Sequence, residues 1–246
     1  MNCIILAAGY ATRLYPLTEN FPKPLLPVGG KPILDWLAED IESSVNELAV
    51  VTNHKFAERF NQWAMNAATR IGKQIRIIDD GTCTNEGRLG AVRDIELAVK
   101  VIGEDDSIVM AGDNVLDFSL KPFIGFAGEK KSSCVMCHEE KRLDALQRTA
   151  VITVDEFGMI TSYTEKPREP KGTLAVPPFY IYQAGDIARI PEALKAGCNP
   201  DAPGSFAAWL AQQTAIHAYR MPGRRWDIGD MASYQTVRDS YKGPVH

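Results

Sequence analysis

Short apolar runs alternate with stripes of helical spacing through the first half of the chain. The runs, each of the length of a buried strand, lie at Asn2–Ala7, Leu48–Thr52, Gln74–Ile78 and Ser107–Ala111. The stripes between them lie at Lys31–Ile41, Phe56–Ala67 and Leu89–Val99. Because strand–helix–strand units favour parallel pairing, this rhythm predicts an α/β fold. We expect a Rossmann-like mixed, mainly parallel sheet flanked by helices, with a smaller β-rich substrate-binding part.

The second half of the chain is richer in strands. Strands are predicted at Ser133–His138, Ala150–Val154, Met159–Thr164, Phe179–Tyr182 and Ala215–Met221, and helices at Ile187–Leu194, Phe206–Gln213 and Met231–Tyr241. Asp230 precedes the last helix and belongs to a residue type that caps helices well. Since no long linker or internal repeat divides the sequence, we expect a single domain over 1–246. Its nucleotide-binding half would be 1–115 and its acceptor-binding half 116–246.

The composition is that of a water-soluble globular protein. Of the 246 residues, 45% are hydrophobic and 24% are charged. The net charge of −4 argues against a protein built to bind nucleic acid. No apolar run approaches the roughly 18 residues that cross a bilayer, and Ile4–Ala8 is too short for a signal-peptide core. We therefore expect no membrane partner and a cytoplasmic location, where the five cysteines would stay thiols.

One segment matches a pattern from a different class of protein. Cys134–His138 reads CVMCH, the CxxCH pattern of haem attachment. Such attachment needs an exported protein, and a zinc site would need further ligands at suitable spacing. The same residues have the alternation of a strand, so we favour a buried strand with two structural thiols.

The first candidate for chemistry is the turn after the first strand, Leu6-Ala7-Ala8-Gly9. Turns of small residues let backbone N–H groups approach phosphate oxygens closely. Arg13 and Lys23 follow and supply cations near the same strand end, which suits a nucleoside triphosphate. The alternative is a tight turn with solvated basic residues. The coincidence of strand, turn and two cations favours the triphosphate site.

Two aspartates are candidates for a metal site. Asp113 follows an apolar strand, so its carboxylate would lie at the ligand edge of the sheet. Asp227 lies in the C-terminal part, where it could equally cap a helix. Two carboxylates are a minimal ligand set for Mg²⁺, which keeps waters and takes further oxygens from phosphate.

Five segments, in order along the chain, resemble sugar-1-phosphate nucleotidyltransferases, the sugar-nucleotide pyrophosphorylases. The most specific is the opening stretch LAAGYATRLYPLTENFPKPLLPVGGKPI. The others are short and gain weight from their order: Ala111–Asn114, Thr164–Pro167, Leu174–Val176 and Trp226–Asp230. The resemblance therefore covers nearly the whole chain.

The resemblance implies a role for each matched residue. Arg13 and Lys23 would hold the triphosphate and the charge that develops at the α-phosphorus. Asp113 and Asp227 would bind Mg²⁺. The acceptor-binding residues would be Asn114, Glu165, Lys166 and Val176, with Lys166 on the sugar phosphate and Glu165 on sugar hydroxyls. The nucleotide-binding residues would be Leu6, Ala7, Ala8, Gly9, Thr12, Thr82 and Gly87.

The chain departs from the family pattern at positions that bear on specificity. Ala11 stands where many relatives have glycine, and Thr82 stands where a glutamine commonly reads the base. Ala150 replaces a glycine of the sugar pocket, and Pro177-Pro178 replaces a small polar–glycine pair. The short loop of Thr82 leaves limited room for a purine, so we expect a pyrimidine triphosphate. The departures leave the acceptor sugar open.

The expected reaction is nucleotidyl transfer from a nucleoside triphosphate to a phosphorylated small molecule, with release of pyrophosphate. A sugar 1-phosphate is the favoured acceptor. One alternative is a cytidylyltransferase that acts on a non-sugar phosphate or phosphonate such as phosphocholine. A second is a catalytically silent regulatory module on the same fold, against which the joint presence of the cationic and acidic residues argues. An oligomer is compatible with the sequence.

Overall fold

Strands and helices alternate through residues 1–244, the residues that the computed structural model describes. The strands are β1 (Asn2–Leu6), β2 (Pro27–Val28), β3 (Lys31–Pro32), β4 (Leu48–Thr52), β5 (Ile75–Asp79), β6 (Ser107–Ala111), β7 (Asn114–Leu116), β8 (Cys134–Glu139), β9 (Ala150–Val154), β10 (Ile160–Glu165), β11 (Leu174–Val176), β12 (Phe179–Tyr182), β13 (His217–Arg220) and β14 (Arg225–Asp227). The helices are α1 (Ile33–Ile41), α2 (Ala57–Ile71), α3 (Ala91–Ile102), α4 (Lys121–Lys130), α5 (Leu143–Leu146), α6 (Ala184–Ile187), α7 (Ile190–Lys195), α8 (Gly204–Leu210) and α9 (Met231–Ser240).

The chain divides into two compact units, and one of them is built from three separate segments. The first unit comprises 1–89, 111–121 and 222–244, and the second comprises Gly90–Met110 and Pro122–Met221. The division between the two units does not coincide with the predicted division of the chain after residue 115. The assignment of nucleotide and acceptor binding to halves of a single domain stays a prediction.

The first unit is built on parallel strands in the order β1-β4-β5. All five residues of β4 are buried, as the continuous apolar run predicted. Helix α2 buries one face, with Phe60, Trp63 and Ala67 pointing inward. It ends at Gly72, whose φ of 74° is the left-handed conformation that glycine adopts without steric cost. The parallel pairing brings the carboxyl ends of these strands to one edge.

A short two-stranded ribbon, β7 paired with β14, also belongs to the first unit. The pairing is antiparallel and sets Asp227 opposite Asn114. Helix α9 follows, and Asp230 caps it through a reciprocal pair of hydrogen bonds with Ser233. The predicted cap is therefore confirmed, and the ribbon joins two segments more than 100 residues apart in sequence.

The second unit is a mainly antiparallel sheet in the order β10-β9-β11-β8-β12-β6, with β13 parallel to β8. Strand β9 lies between two neighbours, so that Ala150 is opposite Glu165 on one side and Val176 on the other. Cys134 and Cys137 are buried in β8, which confirms the strand interpretation of the CxxCH segment. Burial raises the pKa of both thiols to about 11.

The predicted fold class, a Rossmann-like mixed sheet flanked by helices, is confirmed. Among the predicted helices, Ile187–Leu194 differs, since it is split between α6 and α7, and helix α4 was not predicted. Pro191 lies in the first turn of α7, where its missing N–H and fixed φ are tolerated, rather than inside one continuous helix. Within residues 1–244, no helix combines the length and the hydropathy that crossing a bilayer requires.

Candidate active site

The loop that follows β1 is fixed by hydrogen bonds from Asn53 and Thr18. The Asn53 side chain donates to the Ala8 carbonyl at 2.9 Å, and the Thr18 hydroxyl donates to the Ala11 carbonyl at 2.8 Å. Gly9 is exposed at the tip, and a β-carbon there would meet no atom within 4 Å. Ala11 has φ 49° and ψ 42°, a left-handed conformation that costs a non-glycine residue about 1–2 kcal/mol. Backbone strain of this kind concentrates at functional sites.

The predicted nucleotide-binding residues of the opening motif all lie on this loop or at its ends. They are Leu6, Ala7, Ala8, Gly9 and Thr12, the last opening a short 3₁₀ turn over Thr12–Leu14. Their role in binding stays a prediction.

Asp113 lies next to the end of β1 and is paired with Lys23. The Gly112 N–H donates to the Leu6 carbonyl at 2.9 Å, which sets the Asp113 backbone beside that strand end. Lys23 Nζ donates to Asp113 Oδ2 at 2.5 Å and to the Ile228 carbonyl at 2.9 Å. The Lys23 side chain is only 12% exposed. The lysine predicted for the triphosphate thus lies between the two aspartate-bearing segments.

Asn114 and Arg225 complete a charged network around the two aspartates. Asn114 Nδ2 donates to Asp113 Oδ1 at 2.7 Å, and Arg225 Nη1 donates to Asn114 Oδ1 at 2.5 Å. The same Arg225 nitrogen lies 3.4 Å from Asp227 Oδ2. Asn114 is fully buried. Two carboxylates and two cations therefore meet in the first unit.

The two aspartates differ in their affinity for protons. Burial alone would raise the pKa of Asp113, but the ammonium of Lys23 outweighs it and holds that pKa below its usual range. Partial burial, together with the neighbouring Asp113 carboxylate, raises the pKa of Asp227. Ionisation of Asp227 therefore places a second negative charge beside Asp113, which the cations around the pair offset.

Arg13 and Asp227 both lie close to Gly229. A β-carbon at Gly229 would be 3.9 Å from Arg13 Nη2 and 3.9 Å from Asp227 Oδ1. The Arg13 side chain is exposed, so its guanidinium is accessible to a ligand. The structure brings together Arg13, Lys23, Asp113, Asn114 and Asp227, for which the sequence predicted triphosphate, metal and acceptor roles. Those roles stay predictions.

Thr82, predicted to bind the nucleotide, is buried and uses its own polar groups to shape a loop. Its N–H and its hydroxyl both donate to Asp80 Oδ1 at 2.7 Å. Its carbonyl accepts from the Tyr10 hydroxyl and from the His54 N–H, each at 2.9 Å. Gly87 lies in the exposed part of this loop, where its N–H donates to Thr84. The loop is tied through Tyr10 to the small-residue turn.

The remaining predicted residues, Glu165, Lys166 and Val176, belong to the second unit. Glu165 ends β10 and Val176 ends β11. Lys166 has a φ of 46°, again a left-handed conformation at a non-glycine residue. Burial raises the pKa of Glu165, and the positive charge of Lys166 opposes that shift.

Gly204, the first residue of α8, leaves the space that the Glu165 carboxylate occupies. A β-carbon at Gly204 would lie 2.2 Å from Glu165 Oε2 and 3.0 Å from the Tyr163 hydroxyl.

The two aspartates fit a magnesium ion that is completed by substrate. Within residues 1–244 no three His, Cys, Asp or Glu side chains gather into a metal site. Mg²⁺ binds through one or two carboxylates and takes its other ligands from water and substrate phosphates. Asp113 and Asp227 supply two hard oxygen donors on adjacent backbone segments, since the Ile228 N–H donates to the Asp113 carbonyl at 3.1 Å.

Arg225 is the residue of this network that the sequence analysis did not single out. A signal was present: Arg225 lies two residues before Asp227, and alternate residues of a strand share a face. The pattern was hidden because β14 has only three residues, too few to show a period of two.

A family model described as nucleotidyl transferase matches residues 2–242 of the chain. Among curated proteins, a UTP–glucose-1-phosphate uridylyltransferase of Haloferax volcanii is 27% identical over 242 residues, which cover 93% of this chain and 91% of that protein. A low-salt glycan biosynthesis nucleotidyltransferase of the same organism is 29% identical over 184 residues. A bifunctional protein GlmU of Methanocaldococcus jannaschii is 31% identical over 174 residues.

The last two alignments cover 74% and 71% of this chain but only 49% and 38% of those relatives. The chain therefore spans about half or less of the length of these two. Among solved structures, a UDP-glucose pyrophosphorylase in complex with UDP-glucose superposes with a TM-score of 0.82 at 24% identity, over 98% of this chain and 97% of that chain. Its apo form gives the same TM-score at 23% identity. These superpositions establish the fold.

Proposed function

The chain belongs to the nucleotidyl transferase family, and we propose that it transfers a nucleotidyl group from a nucleoside triphosphate to a sugar 1-phosphate. The products would be pyrophosphate and a nucleoside diphosphate sugar. The observation that carries the proposal is the network of Lys23, Asp113, Asn114, Arg225 and Asp227 beside the small-residue loop. The uridylyltransferase of Haloferax volcanii, which aligns over nearly its whole length, supports the sugar acceptor.

The chemistry that this site has to supply is positioning and charge neutralisation. A phosphate monoester is already a nucleophile at neutral pH, so its attack on the α-phosphorus needs no general base. Asp113 and Asp227 would hold Mg²⁺, which supplies Lewis-acid stabilisation of negative charge on phosphate oxygens. The carboxylates also hold Lys23 and Arg225 in place.

Lys23 and Arg13 would neutralise the triphosphate from two sides. Lys23 is nearly buried and fixed by two hydrogen bonds, so its charge is positioned before the nucleotide arrives. Arg13 is exposed and would stabilise the departing pyrophosphate. The turn Ala7-Ala8-Gly9 would contribute backbone N–H groups to the same phosphates.

The loop of Thr82 would accommodate the base. Because the Thr82 N–H, hydroxyl and carbonyl are engaged within the loop, base readout would rest on other backbone groups that Thr82 positions. A pyrimidine triphosphate is the preferred nucleotide in this proposal. Glu165 and Lys166 would bind the acceptor, through its hydroxyls and its phosphate.

One observation favours a second acceptor class. The Glu165 carboxylate is half-buried, burial raises its pKa, and its charge contributes to the raised pKa of the nearby Tyr163 hydroxyl. A carboxylate next to an aromatic ring also recognises an ammonium group. A cytidylyltransferase acting on phosphocholine or an aminoalkylphosphonate is therefore the second candidate.

The test is a matrix of five nucleoside triphosphates against sugar 1-phosphates, phosphocholine and aminoethylphosphonate, scored by Mg²⁺-dependent pyrophosphate release. We expect turnover with a pyrimidine triphosphate and a sugar 1-phosphate. A purine preference would refute the base assignment. Turnover with amine-bearing acceptors alone would select the second candidate, and no release in any combination would favour a silent module.

A matched pair of lysine variants tests the acceptor assignment. Lys166→Ala should raise the acceptor KM by about 10- to 100-fold, because a charge-assisted contact contributes about 1.5–3 kcal/mol. The KM for the triphosphate should stay nearly constant. Lys171→Ala, at an exposed lysine of the same segment, should change neither value. An equal rise of both KM values in Lys166→Ala would contradict the assignment.

A further inference from the structure

Lys166 lies in a strained turn that other residues have to hold. Its φ of 46° falls in the left-handed region, which is unfavourable for a residue with a β-carbon. Such a conformation persists only where surrounding contacts enforce it. The segment that does so is the short connection between α5 and β9, residues 147–149.

Thr149 makes contacts to both neighbouring strand ends. Its carbonyl accepts from the Lys166 N–H at 3.1 Å, and its hydroxyl donates to the Val176 carbonyl at 3.1 Å. A second bond supports the same turn, since Gln147 Nε2 donates to the Arg168 carbonyl at 2.8 Å. The segment after Glu165 is therefore held from one side by residues 147–149.

The register of the sheet explains why one residue can do this. Strand β9 lies between β10 and β11 and is antiparallel to both. Its first residue, Ala150, is therefore opposite the last residues of its neighbours, Glu165 and Val176. Thr149 precedes Ala150 and falls between the two chain segments that leave those strands. Its backbone carbonyl binds the segment that leaves β10, and its side-chain hydroxyl binds the end of β11.

We infer that Thr149 is a positioning residue for acceptor binding: it fixes Lys166 and Val176 relative to each other through one carbonyl and one hydroxyl. The inference rests on the proposed function for the role of Lys166, and on the hydrogen bonds alone for the positioning. Thr149 acts through its neighbours and needs no contact with substrate. Its side chain is partly buried, so valine, which matches its shape without the hydroxyl, can replace it without a cavity.

The experiment compares Thr149→Val with Thr149→Ser, which keeps the hydroxyl. The matched control is Thr153→Val on β9, the strand that follows Thr149, where the lost hydroxyl contacts Thr161 at 2.8 Å instead. Thr149→Val should raise the acceptor KM by about 3- to 10-fold, in line with the loss of one hydrogen bond. The triphosphate KM should stay within about twofold, and the serine and Thr153→Val variants should resemble the wild type. The inference is overturned if serine fails to rescue, if both KM values rise together, or if Thr149→Val is unchanged.

Hydrogen exchange of residues 165–176 separates this inference from the proposed function. Thr149→Val should speed exchange in that segment by about 3- to 10-fold, while Thr153→Val leaves it unchanged. If the wild type turns over no acceptor, the proposed function fails. Faster exchange confined to Thr149→Val would then still support the positioning role, and equal exchange in both variants would overturn it.

Discussion

Replacement of Gly204 by alanine should separate acceptor binding from stability. The new methyl group would lie 2.2 Å from Glu165 Oε2, whereas non-bonded atoms prefer about 3.5 Å or more. Either the carboxylate or the helix backbone has to move by roughly 1 Å. The carboxylate moves, because it lies at the far end of a flexible side chain whereas the helix backbone is rigid. Gly204 is helical and its φ is not left-handed, so alanine fits the backbone itself.

The expected effects on binding and on stability have opposite signs. If Glu165 binds the acceptor as proposed, displacing its carboxylate removes about 1.5–3 kcal/mol, a rise of about 10- to 100-fold in the acceptor KM. The same substitution restricts the unfolded chain and adds about 0.4–1 kcal/mol to the free energy of unfolding. A Gly204→Ala variant that is more stable and yet binds the acceptor less well would support the assignment of Glu165 to acceptor binding.

The assay measures the KM of each substrate and the urea midpoint for wild type, Gly204→Ala and Gly185→Ala. Gly185 lies in the first turn of α6, and a β-carbon there would meet nothing within 4 Å. The control should gain stability without any change in KM. The reasoning is refuted if Gly204→Ala leaves the acceptor KM unchanged, since the Glu165 carboxylate would then have no part in binding.

Three further predictions concern the aspartates, the buried glutamate and the thiols. Asp113→Asn and Asp227→Asn should each lower turnover at least about 100-fold and weaken Mn²⁺ binding. The circular dichroism spectrum of both variants should be unchanged. Full activity of the wild type in EDTA would contradict the metal assignment. The folded-state pKa of Glu165 is raised, so its ionisation destabilises the folded state once the pH exceeds the ordinary glutamate pKa. Glu165→Gln should therefore raise the melting temperature at neutral pH but not near pH 3. The same difference in melting temperature at both pH values would contradict this explanation. Cys134→Ala combined with Cys137→Ala should lose about 1–2 kcal/mol of unfolding free energy with activity near normal, and a stoichiometric metal that disappears in this variant would refute the structural role.

The sequence predicted best those features that local chemistry determines. The apolar run Leu48–Thr52 is a buried strand because its consecutive apolar side chains, which alternate between the two faces of the sheet, favour burial on both faces. Asp230 caps its helix because its carboxylate reaches an N–H three residues away. In both cases the deciding interaction lies within one element, so periodicity and residue type are sufficient.

Features decided by distant partners were not predictable in the same way. The ribbon of β7 and β14 has three residues on each side, and each strand exists only because the other pairs with it. Arg225 joins the site through that pairing. Helix α4 was missed because a Pro and two Gly lie among its ten residues and its apolar face is weak. Thr82 differs from these cases, because its hydroxyl donates to Asp80, a partner only two residues away inside the same loop.

The three-segment construction of the first unit determines when the site can first exist during synthesis. Asp113 is made early, but its partner Asp227 belongs to the segment that begins at residue 222. A nascent chain therefore carries Asp113 without Asp227 while residues 122–221, the longer segment of the second unit, are synthesised. Ribosome-bound chains of that length, or chains truncated before residue 222, would have the small-residue turn without the paired carboxylates. Under the proposed function such chains would be inactive, and activity would begin only once the segment from residue 222 has joined the first unit.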